Sequence, residues 1–281
     1  MKHALSVLVV CGLLYGGNLL SQEKGPKEDA PAKEPTPAEQ KGAKRLAVFR
    51  KAVQELQIES ETITDKARLT FPDKPILRYD DITRNFFDAS VWRLGTKGRP
   101  TALLTLEMYG NRGKSALLMH EFTSLADAKF TVDTPLGVHW HPHDTDCKFK
   151  PVPAAPEPAA TPALRLAQMR EISRRFACVS TYNKQVLPLR LLTQPLDRYE
   201  DPEAGIQDGA LFAFATGTNP ELILLLEAGP KGWSYGLSRS ALAQLDVTID
   251  DKPVFSFPQF YGEGRENDYF SEPYNVEVDW N

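Results

Sequence analysis

The sequence predicts an α+β protein in which one compact unit is written twice. Each copy is an N-terminal helix packed on an antiparallel β-meander, and a pseudo-twofold axis relates the two. The first observation behind this is self-similarity. Sliding the chain on itself by 120 residues lays residues 75–107 over 195–227 without a gap, giving ten identities in 33 columns. Among them Arg78 meets Arg198, Tyr79 meets Tyr199, Asp88 meets Asp208, Pro100 meets Pro220 and Glu107 meets Glu227. The second is helical periodicity ahead of each block. Leu46, Phe49, Val53 and Leu56 recur at three and four residues, and Leu166, Met169, Ile172 and Phe176 nearly do the same. The third is a series of short β-branched, leucine and aromatic runs separated by turn residues.

Taken in order, residues 1–21 read as a signal peptide. Lys2 and His3 precede an apolar run, and Gly16, Gly17 and Ser21 form a small, polar exit. The expected location is therefore secreted or periplasmic, with no integral membrane span in the mature chain. Residues 22–43 are Pro, Ala, Glu and Lys with almost nothing to bury, and read as a disordered tether. Residues 44–149 form the first module. Five prolines make residues 150–163 an extended, semi-rigid linker. Residues 164–281 form the second module, with strands expected at 211–215, 221–228, 233–239, 244–249 and 254–257. The run at 222–226 is apolar at every position, so it belongs in the middle of a sheet covered on both faces, one of them by the copy's own helix. The acidic tail from Gln259, with Phe260, Tyr261, Tyr269, Phe270, Tyr274 and Trp280, is expected to pack over its parent module.

Composition removes several classes of function. A net charge of −4 over 281 residues is no footprint for a polyanion, so nucleic acid is not an expected partner. Residues 110–115 echo the end of a phosphate-binding loop, but Met108 stands where its first glycine belongs. The segment reads as a hairpin, and nucleotide binding is not expected. Residues 44–149 carry 16 basic and 14 acidic groups and 164–281 carry 11 and 17, a bias toward docking of the halves through opposite charge.

Duplication sorts residues: what both copies kept belongs to the shared scaffold. By that rule Arg78, Tyr79, Asp88, Pro100, Glu107 and their partners Arg198, Tyr199, Asp208, Pro220 and Glu227 are structural. The sharpest unshared feature is residues 139–147, which hold three of the five histidines. In an extended segment His139, His141 and His143 share a face and can converge on a Zn²⁺-like ion, with Asp144 or Asp146 beside them. The candidate ligands are His139, His141, His143 and Asp146. The competing reading aligns residues 138–142 with 254–258, makes the segment a final strand and a Pro-containing turn, and needs no cofactor. In an oxidising compartment Cys147 and Cys178 are expected to form a disulfide. No G-x-S-x-G elbow or thiol-protease signature is present, so no catalytic residue is assigned.

The R-L-x-Q-M-R opening at Arg165, the L-R-L-L-T-Q-P-L-x-R-Y run at 189–199, D-G-A-L-F-A-F at 208–214 and G-T-N-P-E at 217–221 resemble a group of uncharacterised secreted proteins of planctomycete bacteria. The resemblance spans most of the mature chain, implies export and carries no activity. The expected function is a non-catalytic exported binding or interaction protein of the cell envelope. Its ligand or protein partner would be held by the concave sheets or the cleft between copies. The alternative is a metal-dependent hydrolase centred on the three histidines.

Overall fold

Strict alternation of side chains along two runs of strands sets the architecture. The computed structural model describes residues 35–110, 115–143, 145, 147–260 and 264–278. The expected signal peptide and most of the expected tether lie outside them. In the first half come α1 (Pro37–Gln54), β1 (Gln57–Glu59), β2 (Leu77–Asp81), β3 (Phe86–Leu94), β4 (Ala102–Tyr109), β5 (Ser115–Ser124), β6 (Thr131–Asp133), β7 (His139–Trp140) and β8 (Lys150–Pro151). In the second come α2 (Pro162–Ser173), β9 (Phe176–Tyr182), β10 (Gln185–Pro188), β11 (Arg190–Asp201), β12 (Ile206–Thr216) and β13 (Asn219–Gly229). They are followed by β14 (Gly232–Arg239), β15 (Gln244–Ile249), β16 (Lys252–Phe257) and β17 (Tyr269–Glu277).

Every strand pair is antiparallel, and the protein is α+β. One five-stranded sheet runs β17-β5-β4-β3-β2 and the other β11-β12-β13-β14-β8. On β12 and β13, Phe212, Phe214, Leu222, Leu224 and Leu226 face a core that includes Met169 and Ile172 of α2. Their neighbours Leu211, Ala213, Ile223 and Leu225 point the other way, into a cluster with Ala89, Val91 and Leu103 of the first sheet. Trp92, Leu104 and Leu106 face outward against Phe49, Ala52 and Val53 of α1. The layers are therefore helix, sheet, sheet, helix, and period-two alternation loads both faces of each sheet. Run 222–226 is central and doubly covered, by its own helix and by the other sheet.

Several expectations are corrected. Helix α1 begins at Pro37, inside the expected tether, because Ala, Glu, Gln and Lys are good helix formers that need no burial once a buried turn follows. The second helix stops at Ser173, and Phe176 opens β9 instead of extending the helical stripe. Thr161 caps that helix by accepting from the Leu164 N–H, with Pro162 behind it. The meanders do not stay in one sheet. β15 and β16 join β9 and β10 in a four-stranded sheet, and β6 and β7 join β1 in a three-stranded one.

The 150–163 segment is extended but not a free spacer. Lys150 and Pro151 pair with Tyr235 and Ser234 at the edge of the second sheet, and Arg165 donates to the Ala159 and Ala160 carbonyls. The tail divides: Phe260 stays on its parent module, its N–H donating to the Leu242 carbonyl and Arg239 lying over its ring, but the rest leaves it. β17 pairs with β5 along its whole length, from Tyr269 against Thr123 to Glu277 against Ser115, and completes the first sheet. Each half thus gives its last segment to the other half's sheet. β4 and β5 are adjacent antiparallel strands, Tyr109 opposite Leu117, so residues 110–114 connect a hairpin.

Candidate functional site

The conserved-looking pairs from the internal comparison fall into two sets. In the first, Asp88 receives Arg78 Nε at 2.8 Å and Nη2 at 2.5 Å, with Arg45 of α1 at 3.8 Å. Asp208 receives Arg198 at 2.9 and 2.6 Å, and Arg165 of α2 at 2.8 Å. Arg78 also donates to the Gly42 carbonyl and Arg198 to that of Pro162. Each aspartate therefore fixes a helix and an edge strand onto the neighbouring strand through charge-assisted bonds.

The second set lies between the sheets. The Tyr199 hydroxyl donates to Glu227 at 2.8 Å, and Arg99, from the other half, grips the same carboxylate with two bonds of 2.6 Å. The Tyr79 hydroxyl lies 3.4 Å from Glu107 and 3.0 Å from Asn219 Oδ1, also from the other half. Positions 99 and 219 are 120 residues apart, so the two contacts are reciprocal. Gly209 lets this happen on one side, since a Cβ there would sit 2.3 Å from the Tyr199 ring. Pro100 and Pro220 flank the same contacts: Pro220 sits at a bulge opposite Ala215, where a missing N–H breaks the ladder at little cost. Arg84 and Arg93 likewise pair with Glu221 and Asp197 across the sheets, all cations from the first half and all anions from the second.

Glu227 is fully answered by Arg99, but Glu107 is not, and a cleft of about 610 Å³ opens beside it. Its walls are Arg84, Glu107, Tyr109 and Glu121 of the first sheet, Thr216, Asn219 and Glu221 of the second, and Ser180, Tyr182, Gln185 and Leu187 of the β9–β10 hairpin. Glu221 is bound by Arg84 at 2.6 Å. Glu107 is only 3% exposed and accepts from the Tyr109 hydroxyl at 2.7 Å, and Glu121 accepts from Tyr269 at 2.9 Å. Burial raises the pKa of Glu107, against the pull of its tyrosine bonds and Arg84. Burial, with the charge of Glu107 beside it, raises that of Glu121 well above the usual carboxylate range. The Thr216 hydroxyl on the same wall is buried and has no hydrogen-bond partner. A second depression of about 650 Å³, between residues 154–159 and α2, is lined mainly by Ala, Pro, Leu and Ile and gathers no such groups.

The internal comparison flagged Glu107 but not Glu121, Arg84 or Glu221. A signal was present for Glu221, a glutamate heading the otherwise apolar run 221–226, but not for Glu121 or Arg84.

The histidine segment alternates as expected. Trp140 is buried while His139 and His143 are exposed and His141 is half-buried. His139 bonds Asp133 through Nδ1, and it is not in the group whose ligand atoms lie within 4.8 Å of one another. His141 and His143 instead approach Glu266, which the sequence reading missed. Asp146 lies outside the described residues. Cys147 and Cys178 are free thiols. Cys147 packs between the sheets and Cys178 in the core on the α2 side, so a sheet separates them and the expected disulfide is not formed. Burial pushes both thiols up to about 12, which makes them poor nucleophiles. Among the described residues no helix is long and apolar enough to cross a membrane. Set against known protein families, curated proteins and solved structures, the chain finds no match.

Proposed function

We propose that this is an exported, non-catalytic binding protein whose ligand is a small organic cation held in the cleft between two duplicated halves. One observation carries the reading: Glu107 and Glu121 lie beside an open cleft where, among the lining residues, the one cation, Arg84, is bound to Glu221; burial raises the pKa of both, and Glu107 raises that of Glu121 further. Buried like charges are costly and collect at functional sites. Three carboxylates against Arg84 alone favour a positive guest, and the Tyr109 and Tyr182 rings offer it π faces. The orphaned Thr216 hydroxyl awaits a polar partner.

Duplication about a pseudo-twofold axis is supported by the reciprocal contacts of residues 99 and 219 and by matched registers, Tyr79 opposite Ala89 and Tyr199 opposite Gly209. Export rests on residues 1–21 alone. The hydrolase alternative has less behind it: the ligands of its three-histidine centre are divided between Asp133 and Glu266.

A cation stabilises the ionised carboxylates, so its binding releases protons and tightens as pH rises. Calorimetric titration with spermidine, agmatine and ethanolamine, repeated in buffers of different ionisation enthalpy, should show amine binding with proton release. Glucose should give no heat, and Glu121→Gln should reduce the proton release and weaken binding about tenfold or more. Amines that fail to bind, or bind equally well to Glu121→Gln, refute the reading.

A further inference from the structure

We infer that His141, His143 and Glu266 form a binding site for a borderline divalent metal such as Zn²⁺, separate from the cleft and outside the proposed function. The three side chains come from two segments that backbone bonds hold side by side. The His141 N–H donates to the Arg265 carbonyl at 2.9 Å and the His143 N–H to that of Glu266 at 3.1 Å. The ligand-bearing backbone is therefore set before any ion arrives.

The hydrogen-bond pattern also orients the rings. His141 Nδ1 lies 3.0 Å from the His139 carbonyl, which only accepts, so Nδ1 carries the proton and Nε2 keeps its lone pair. That Nε2 is 3.6 Å from Glu266 Oε1, and His143 Nδ1 is 3.8 Å from Oε2. One ligand atom from each residue lies within 4.8 Å of the others. A tetrahedral ion with bonds of about 2.0–2.1 Å wants its ligands about 3.4 Å apart, so small rotations of exposed side chains close the set. Two imidazoles and one carboxylate favour Zn²⁺, Cu²⁺ or Ni²⁺ over Mg²⁺ or Ca²⁺ and leave a fourth position for water. His139 stays out, because the ligand atoms that lie within 4.8 Å of one another come from His141, His143 and Glu266 and not from it. An ion here ties the end of β7 to the segment that leads into β17, which completes the first sheet.

The test is a titration of the full chain, stripped with chelator, with Zn²⁺ against a competing chromophoric indicator, and with Co²⁺ followed by visible absorption. One equivalent of Zn²⁺ should bind, and Co²⁺ should give the intense bands of a tetrahedral centre. His141→Ala and Glu266→Gln should each weaken binding about tenfold or more, whereas His139→Ala should change it less than about twofold. All three residues are at the surface, and unchanged circular dichroism verifies that the variants fold. No zinc binding, or binding lost in His139→Ala and kept in Glu266→Gln, overturns the inference.

Discussion

His120 occupies a buried outward-facing position of β5, stacked 4.4 Å from the Tyr274 ring, and neither ring nitrogen has a hydrogen-bond partner. Burial lowers its pKa to about 3. The folded protein therefore keeps the ring neutral while the unfolded chain protonates it below about pH 6.5. Stability from this residue is complete above that pH and is lost as pH falls toward the folded value. Glu107 and Glu121 work in the opposite sense. Their raised values mean that the folded state binds more protons than the unfolded one above about pH 4.3, so stability falls as pH climbs from there. The pH–stability curve from urea unfolding should thus slope down on both sides. His120→Phe should flatten the acid flank and add about 1 kcal/mol by removing two unanswered ring nitrogens. Glu121→Gln should flatten the alkaline flank alone. A flank unmoved by its own variant would contradict the assignment.

At the scale of elements, the helix clamps are unequal. Arg165 is 5% exposed and bonds Asp208 directly, whereas Arg45 stands 3.8 Å from Asp88 and is more open to water. Breaking a buried pair by removing one partner costs about 3–5 kcal/mol, far more than an exposed one. Asp208→Asn should therefore cost about 3 kcal/mol in denaturant unfolding and Asp88→Asn clearly less; equal losses would show that burial of the helix arginine does not matter. Much of this level was readable beforehand. All five strand runs expected in the second half exist, because alternation and turn residues are local signals. What could not be read is where a strand goes. The tail's aromatics announced burial but not that Tyr269 and Phe270 would lie opposite Thr123 and Phe122. Likewise three-residue strands such as β1 have too little pattern to stand out. The cleft was half legible for the same reason. Glu107 was visible through its match to Glu227 when the sequence is laid on itself, while Glu121 and Arg84 gain their meaning only from neighbours more than a hundred residues away, Tyr269 and Glu221.

At the scale of the whole molecule, the two halves are bound by exchange. Arg84, Arg93 and Arg99 reach acids of the second half, Asn219 reaches Tyr79, and β8 and β17 each close the opposite sheet. The apolar cluster between the sheets takes side chains from both, so neither half can keep its inner face dry alone. The cleft takes its walls from both halves. The direct test is pulsed hydrogen exchange read by mass spectrometry across a guanidinium series. Peptides from β3 and β4 and peptides from β12 and β13 should lose protection at one shared midpoint. Two separate midpoints, with one sheet still protected after the other has opened, would contradict the account.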